Sequence, residues 1–170
     1  LTPDGFGTEA DVANALAGLA AKHPDLQAVN LSLGTFDDAD FFEPMGLSVA
    51  LAALPAHIAV VAAAGNDHNP LNPWYPAAFS RVIGVAAVEL SGNAFVPTSF
   101  SNSGPSADVC TFGRDILSAY VHGDFLEDSA KPPTPHTSGW ARWSGTSFAS
   151  PLVAAELARR CGPNASTCRC

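Results

Sequence analysis

The chain predicts an α/β fold built on a mostly parallel sheet, and three observations carry that prediction. Residues 58–63 and 82–88 are nearly uninterrupted apolar runs of strand length, the pattern of strands covered on both faces. These runs alternate with apolar helical segments, as strands and crossover helices do in a parallel sheet. At 170 residues the chain makes one domain at most, long enough to bury a real core, and no internal repeat or second domain divides residues 1–170.

In chain order, residues 8–22 read as a helix. Thr8 with Asp11 resembles a capping box, Ala10, Val12, Ala15, Leu16 and Leu19 share a face, and His23-Pro24 ends it. Residues 28–33 form a short buried strand closed by Gly34, and a second apolar helix covers about 46–53, ending near Pro55. After the strand at 82–88 the pattern changes. Residues 91–111 are rich in Ser, Gly, Pro and Asn and read as loops with short strand segments, while 116–120 suit one more strand. Residues 123–142 are polar, with Pro132, Pro133 and Pro135, and read as an exposed loop. The last element is a helix over 152–160, with Pro151 marking its start, Arg159 and Arg160 at its negative end and Gly162 as its stop.

Composition narrows the function classes. A net charge of −8 argues against nucleic acid, which requires clustered Lys and Arg. No apolar run reaches membrane-spanning length, so no membrane partner is expected. Arg outnumbers Lys six to two and Ala is abundant, which points to a GC-rich bacterial gene. The chain opens at Leu1 without Met, so the lack of a signal peptide carries little information. Four cysteines allow three fully paired connectivities. Cys168 and Cys170 lie too close to pair with each other, so each is expected to seek Cys110 or Cys161 in an oxidising, extracellular setting. A zinc site from the three C-terminal cysteines lacks a fourth ligand at usual spacing, and free thiols are the remaining reading.

The chemistry gathers around residues 144–151, Ser-Gly-Thr-Ser-Phe-Ala-Ser-Pro. A turn through Gly145 and Thr146 throws Ser147 onto the first turn of a helix, where amides lack intrahelical partners and the macrodipole is positive. Such a serine sits beside donors aimed at developing negative charge, as acyl transfer requires. Taken alone, the stretch is equally an ordinary capped helix. Ser32-Leu33-Gly34 and Ala63-Ala64-Gly65-Asn66 both fall at the C-terminal ends of predicted strands, the edge where parallel sheets build sites. Asn66 alone would be a common turn residue, but its carboxamide can also donate to an oxyanion.

The octet closely resembles the nucleophile motif G-T-S-x-A-x-P of the subtilisin-like serine proteases, or subtilases. Ala63-Ala64-Gly65-Asn66, Asn30-Leu31-Ser32-Leu33-Gly34, Tyr75-Pro76-Ala77 and Ser99-Phe100-Ser101-Asn102-Ser103-Gly104-Pro105 resemble further segments of that family in the expected order. The resemblance runs from about residue 4 to 160. It implies the three-layer sandwich of that fold and an endopeptidase in which Ser147 forms the acyl-enzyme and Asn66 completes the oxyanion hole. It further implies that Ser32, Leu33 and Gly34 pair with an extended polypeptide and wall the S1 pocket opposite Ala63, Ala64 and Gly65. Trp74 stands where many relatives carry a small residue near the pocket floor. An inward indole implies a short P1 side chain, an outward one leaves the pocket open, and Asp67 is the alternative, attracting a basic P1 residue. Calcium is common in the family, but its best-known ligands lie upstream, and no metal or other cofactor is assigned.

The sequence also departs from the family. The order Asp, His, Ser requires a D-T/S-G strand end and an H-G-T helix start, and neither occurs: Asp4-Gly5 is followed by Phe6 and His122-Gly123 by Asp124. His68 is the histidine nearest to Asn66 in sequence, with no buried carboxylate to orient it; His23, His57, His122 and His136 read as solvent-facing or helix-end residues. Asp and His are therefore expected from an N-terminal portion of the same protein, which would also supply a strand beside residues 28–33. Alone, the chain is expected to be inactive and to expose an apolar sheet edge. The alternative function is a peptide-binding pseudoprotease or truncated remnant that grips extended chains along Ser32-Leu33-Gly34.

Overall fold

The computed structural model describes residues 7–35, 43–125 and 134–161. Helix α1 (Glu9–Lys22) starts on the capping box read from the sequence. Thr8 accepts from the Asp11 amide, Asp11 accepts from the Thr8 amide at 3.0 Å, and His23 is the C-cap. The Thr8 hydrogen bonds hold the Asp11 carboxyl below its ordinary range. Strand β1 (Ala28–Leu31) stops two residues short of the expected end, because Ser32 to Gly34 leave the ladder for tertiary contacts. Helix α2 (Met45–Ala53) follows, then β2 (Ala59–Ala63) and the long β3 (Ile83–Ser91).

Strands β1, β2 and β3 are parallel neighbours, with Val29 opposite Val60 and Ala62 opposite Gly84. β3 also pairs with the antiparallel β4 (Ala94–Pro97) and the parallel β5 (Val109–Phe112). Val88 faces Pro97 in one and Phe112 in the other, so these two strands lie on opposite edges of β3. Among the described residues β1 has only β2 as a partner strand.

Side-chain alternation along β2 divides the core. Val60 and Ala62 face Leu16 of α1 and Leu47, Ala50 and Leu51 of α2, while Val61 packs with Val85, Ala149 and Ala154 beneath α3 (Thr146–Cys161). Helices thus cover both faces of the sheet, which is why the β2 sequence is apolar at every position.

The described residues within 123–142 carry more strand than the sequence suggested. They contain β7 (Gly123–Phe125), β8 (Thr134–His136) and most of β9 (Trp140–Trp143), with β7 paired to β8 and β9 to β6 (Ile116–Ala119). The polar, Pro-containing composition hid these strands because both pairs lie outside the main sheet and lack its apolar run. Pro132 and Pro133 fall outside the described residues. At the far end of α3, hydrogen bonds first from Arg159 and then from Arg160 hold the Glu156 carboxyl down to about 2.

The two faces of α2 provide a test of the core. Leu51 is 1 % exposed and Val49 is 67 % exposed. Leu51→Ala is expected to cost about 2–5 kcal/mol in denaturant unfolding of the protein, and Val49→Ala less than about 0.5 kcal/mol.

Candidate active site

The ends of β1 and β2 meet the start of α3, and each arrives for a local reason. Beyond β2 the chain runs through Ala64, which is wholly buried, to Gly65 with φ of +100°, a conformation that glycine adopts without a Cβ penalty. Asn66 is therefore carried out of a buried strand directly to the surface.

Thr146 is the joint between β2 and α3. Its buried hydroxyl accepts the Gly65 amide at 3.1 Å and donates to Asn66 Oδ1 at 3.0 Å, while its own amide donates to the same oxygen at 2.8 Å. Both bonds grip the oxygen of the carboxamide, so the Nδ2 protons are left over. Among the described residues none accepts from Nδ2. Ser147 follows as the second residue of α3 and is partly exposed, with its amide among those that have no acceptor inside the helix.

Helix α3 begins at Thr146, so Pro151 lies inside it rather than marking its start, contrary to the sequence expectation. Proline has no N–H to give the carbonyl four residues back, which is that of Ser147. Ser32 takes its place, donating from Oγ to that carbonyl at 2.8 Å. The same hydroxyl accepts Asn30 Nδ2 at 2.8 Å and lies 3.1 Å from Oγ of fully buried Ser150. Its single proton is committed to Ser147, so Ser150 must be the donor in that pair. The helix persists through its proline because a strand-end serine satisfies the orphaned carbonyl.

The turn before Ser147 is anchored to the region following β5. The Gly145 amide donates to Gly113 O at 2.8 Å, and Ser144 Oγ accepts the Asp115 amide at 2.9 Å. On the other side, Leu33 packs on the α1–α2 core and Gly34 backs onto the Trp74 indole. The structure thus brings Ser32, Leu33 and Gly34, Ala63, Ala64, Gly65 and Asn66, and Gly145, Thr146 and Ser147 to one edge.

The sequence alone assigns no role to Asn102, although it lies in the family-like segment 99–105. Asn102 is 2 % exposed, and its Oδ1 accepts the amides of Asp67 and Asn69, both at 2.9 Å. Its own amide donates to Gly65 O at 3.0 Å. It shapes the loop that follows Asn66, and a buried Asn amid serines was the available signal.

The histidines lie apart from this arrangement or at its rim. His68 is exposed with φ of +52°, His57 and His122 are exposed, and His23 caps α1. His136 departs from the expected solvent-facing role: it is half-buried on β8, with its ring 4.9 Å from that of Tyr120. Cys110, expected to pair with a C-terminal cysteine, is a free, exposed thiol on β5, and Cys168 and Cys170 lie outside the described residues.

A family model described as the subtilase family, Peptidase_S8, matches residues 2–163. The chain belongs to the subtilases. It is 31 % identical over 160 residues to an extracellular protease of Xanthomonas campestris pv. campestris, covering 89 % of this chain and 25 % of that protein. It is 32 % identical over 164 residues to alkaline protease 1 of Aspergillus flavus, covering 89 % and 34 %. Among solved structures, S41 psychrophilic protease superposes with a TM-score of 0.72 at 22 % identity, covering 97 % of this subtilase chain and 53 % of that one. The likeness bears out the mostly parallel three-layer α/β fold. The chain spans about a quarter to a third of these curated relatives and about half of that structure.

Two expectations follow from the two serine/threonine joints. Thr146→Val keeps shape but leaves the buried Gly65 amide without its acceptor, and is expected to cost about 1–3 kcal/mol in denaturant unfolding, while Thr146→Ser stays closer to wild type. Ser32→Ala is expected to cost about 1–3 kcal/mol, and part of that cost should vanish in a Pro151→Ala background, where a new amide can bond the Ser147 carbonyl while Ser150 still lacks its acceptor. A double-mutant cycle measures this coupling; additive costs would contradict it.

Proposed function

We propose that residues 1–170 are part of one catalytic domain of an extracellular serine endopeptidase acting on extended polypeptides. The observation that carries this reading is the double hold of Thr146 on Asn66 Oδ1, which leaves the Nδ2 protons unclaimed beside the turn bearing Ser147. In this reading Ser147 Oγ attacks the scissile carbonyl carbon, while Asn66 Nδ2 and the Ser147 amide receive the charge that develops on its oxygen. The hydroxyl proton passes to a base and then to the leaving amine, and water later cleaves the ester to restore Ser147.

A serine hydroxyl is a weak nucleophile without that base. We assign the base to a histidine, oriented by an aspartate, in a portion of the same protein outside residues 1–170. The absence of both motifs from this sequence supports the assignment, as does its coverage of only part of its relatives. That portion would also add a strand to the edge of β1 that has no partner strand among the described residues. The names of the relatives, an extracellular protease and a halolysin-like extracellular serine protease, support action outside the cell.

The test uses the whole protein. Ser147→Ala should abolish both labelling by a fluorophosphonate and peptide hydrolysis. Asn66→Ala should lower kcat by about 100- to 1,000-fold with little change in KM, the effect that belongs to the corresponding donor of subtilisin itself. Full hydrolysis by Ser147→Ala would overturn the reading.

A further inference from the structure

The site contains a side chain that the acyl-transfer chemistry does not use. The segments ending in Gly34 and Gly65 form two walls beside Ser147, the first bonded through Ser32 to its carbonyl and the second through Gly65 to Thr146. Between them stands the Trp74 indole. A Cβ added to Gly34 would collide with Nε1, Cε2 and Cδ1 of that ring, and one added to Gly65 would lie 2.9 Å from Cδ2 and 3.0 Å from Cγ. One ring therefore touches both walls; the missing side chain of Gly34 makes room for it, and that of Gly65 makes room for both the ring and Asn102 Nδ2.

The indole is held there by its backbone. Thr35, next to Gly34, exchanges hydrogen bonds with Tyr75, next to Trp74, at 2.8 and 2.9 Å. The Trp74 amide donates to Oγ of fully buried Ser106 at 2.7 Å, and the Trp74 carbonyl accepts the Ala78 amide at 2.9 Å. The segment carrying the ring is thus tied to one wall on one side and to the core on the other.

We propose that Trp74 closes the pocket between these walls and restricts cleavage to peptide bonds that follow glycine or alanine. This rests on the proposed function above. A substrate whose carbonyl carbon meets Ser147 Oγ and whose oxygen meets Asn66 Nδ2 directs the side chain of that same residue between the two walls. The space there is taken by indole. A methyl group fits at its edge, and a Leu or Phe side chain does not.

The experiment measures kcat/KM of the whole protease on peptides identical except for Gly, Ala, Leu or Phe before the scissile bond, with active enzyme counted by fluorophosphonate labelling. Ala is expected to exceed Phe by about tenfold or more, and Trp74→Gly is expected to raise the Phe value by more than that ratio, so that the order reverses. A labelled wild-type enzyme that prefers Phe or Leu, or a Trp74→Gly enzyme with an unchanged Phe-to-Ala ratio, overturns the closed pocket alone. A whole protein that neither takes label nor cleaves any peptide overturns the protease reading beneath it. The wild-type profile decides the matter even if Trp74→Gly fails to fold.

Discussion

The relation between the sheet and α3 depends on the Thr146 hydroxyl. It is wholly buried and joins groups about eighty residues apart in sequence, accepting the Gly65 amide and donating to Asn66 Oδ1. Buried hydrogen bonds are costly to leave unmade, so the start of α3 cannot drift from the end of β2 without stranding polar groups. The hydroxyl and the amide of Thr146 both donate to Asn66 Oδ1 and so select which end of its carboxamide remains available. A structural bond therefore also fixes the chemical polarity of the site.

Pro151 sets a complementary constraint. Its missing N–H frees the Ser147 carbonyl, and Ser32 satisfies it from the end of β1. The helix that carries Ser147 is thus held to two adjacent strand ends by two hydroxyls. Placed on packed elements rather than a free loop, Ser147 inherits their rigidity.

Small residues make this proximity sterically feasible. Val61, Val85 and Ala87 of the sheet pack against Ala149 and Ala154 of α3, whereas the cluster that joins the sheet to α1 and α2 is rich in Leu. The smaller side chains let α3 approach the sheet closely. Gly34 and Gly65 apply the same logic at the site, and there the released volume is filled by Trp74 and, at Gly65, also by Asn102.

The sequence by itself determined the layered fold, the cap on α1, the positions of the main strands along the chain and the grouping of Ser32, Asn66 and Ser147 at one edge. These follow from local periodicity, capping chemistry and strand-end motifs, all of which act over a few residues. Tertiary structure decided the rest. It ended β1 at Leu31, carried α3 through Pro151, ordered strands within residues 123–142, and gave Asn102 its place. It also turned the Trp74 indole inward, an orientation that the sequence left open. Each of these outcomes depends on a partner distant along the chain, and local sequence carries no record of where that partner's donor, acceptor or empty volume will lie.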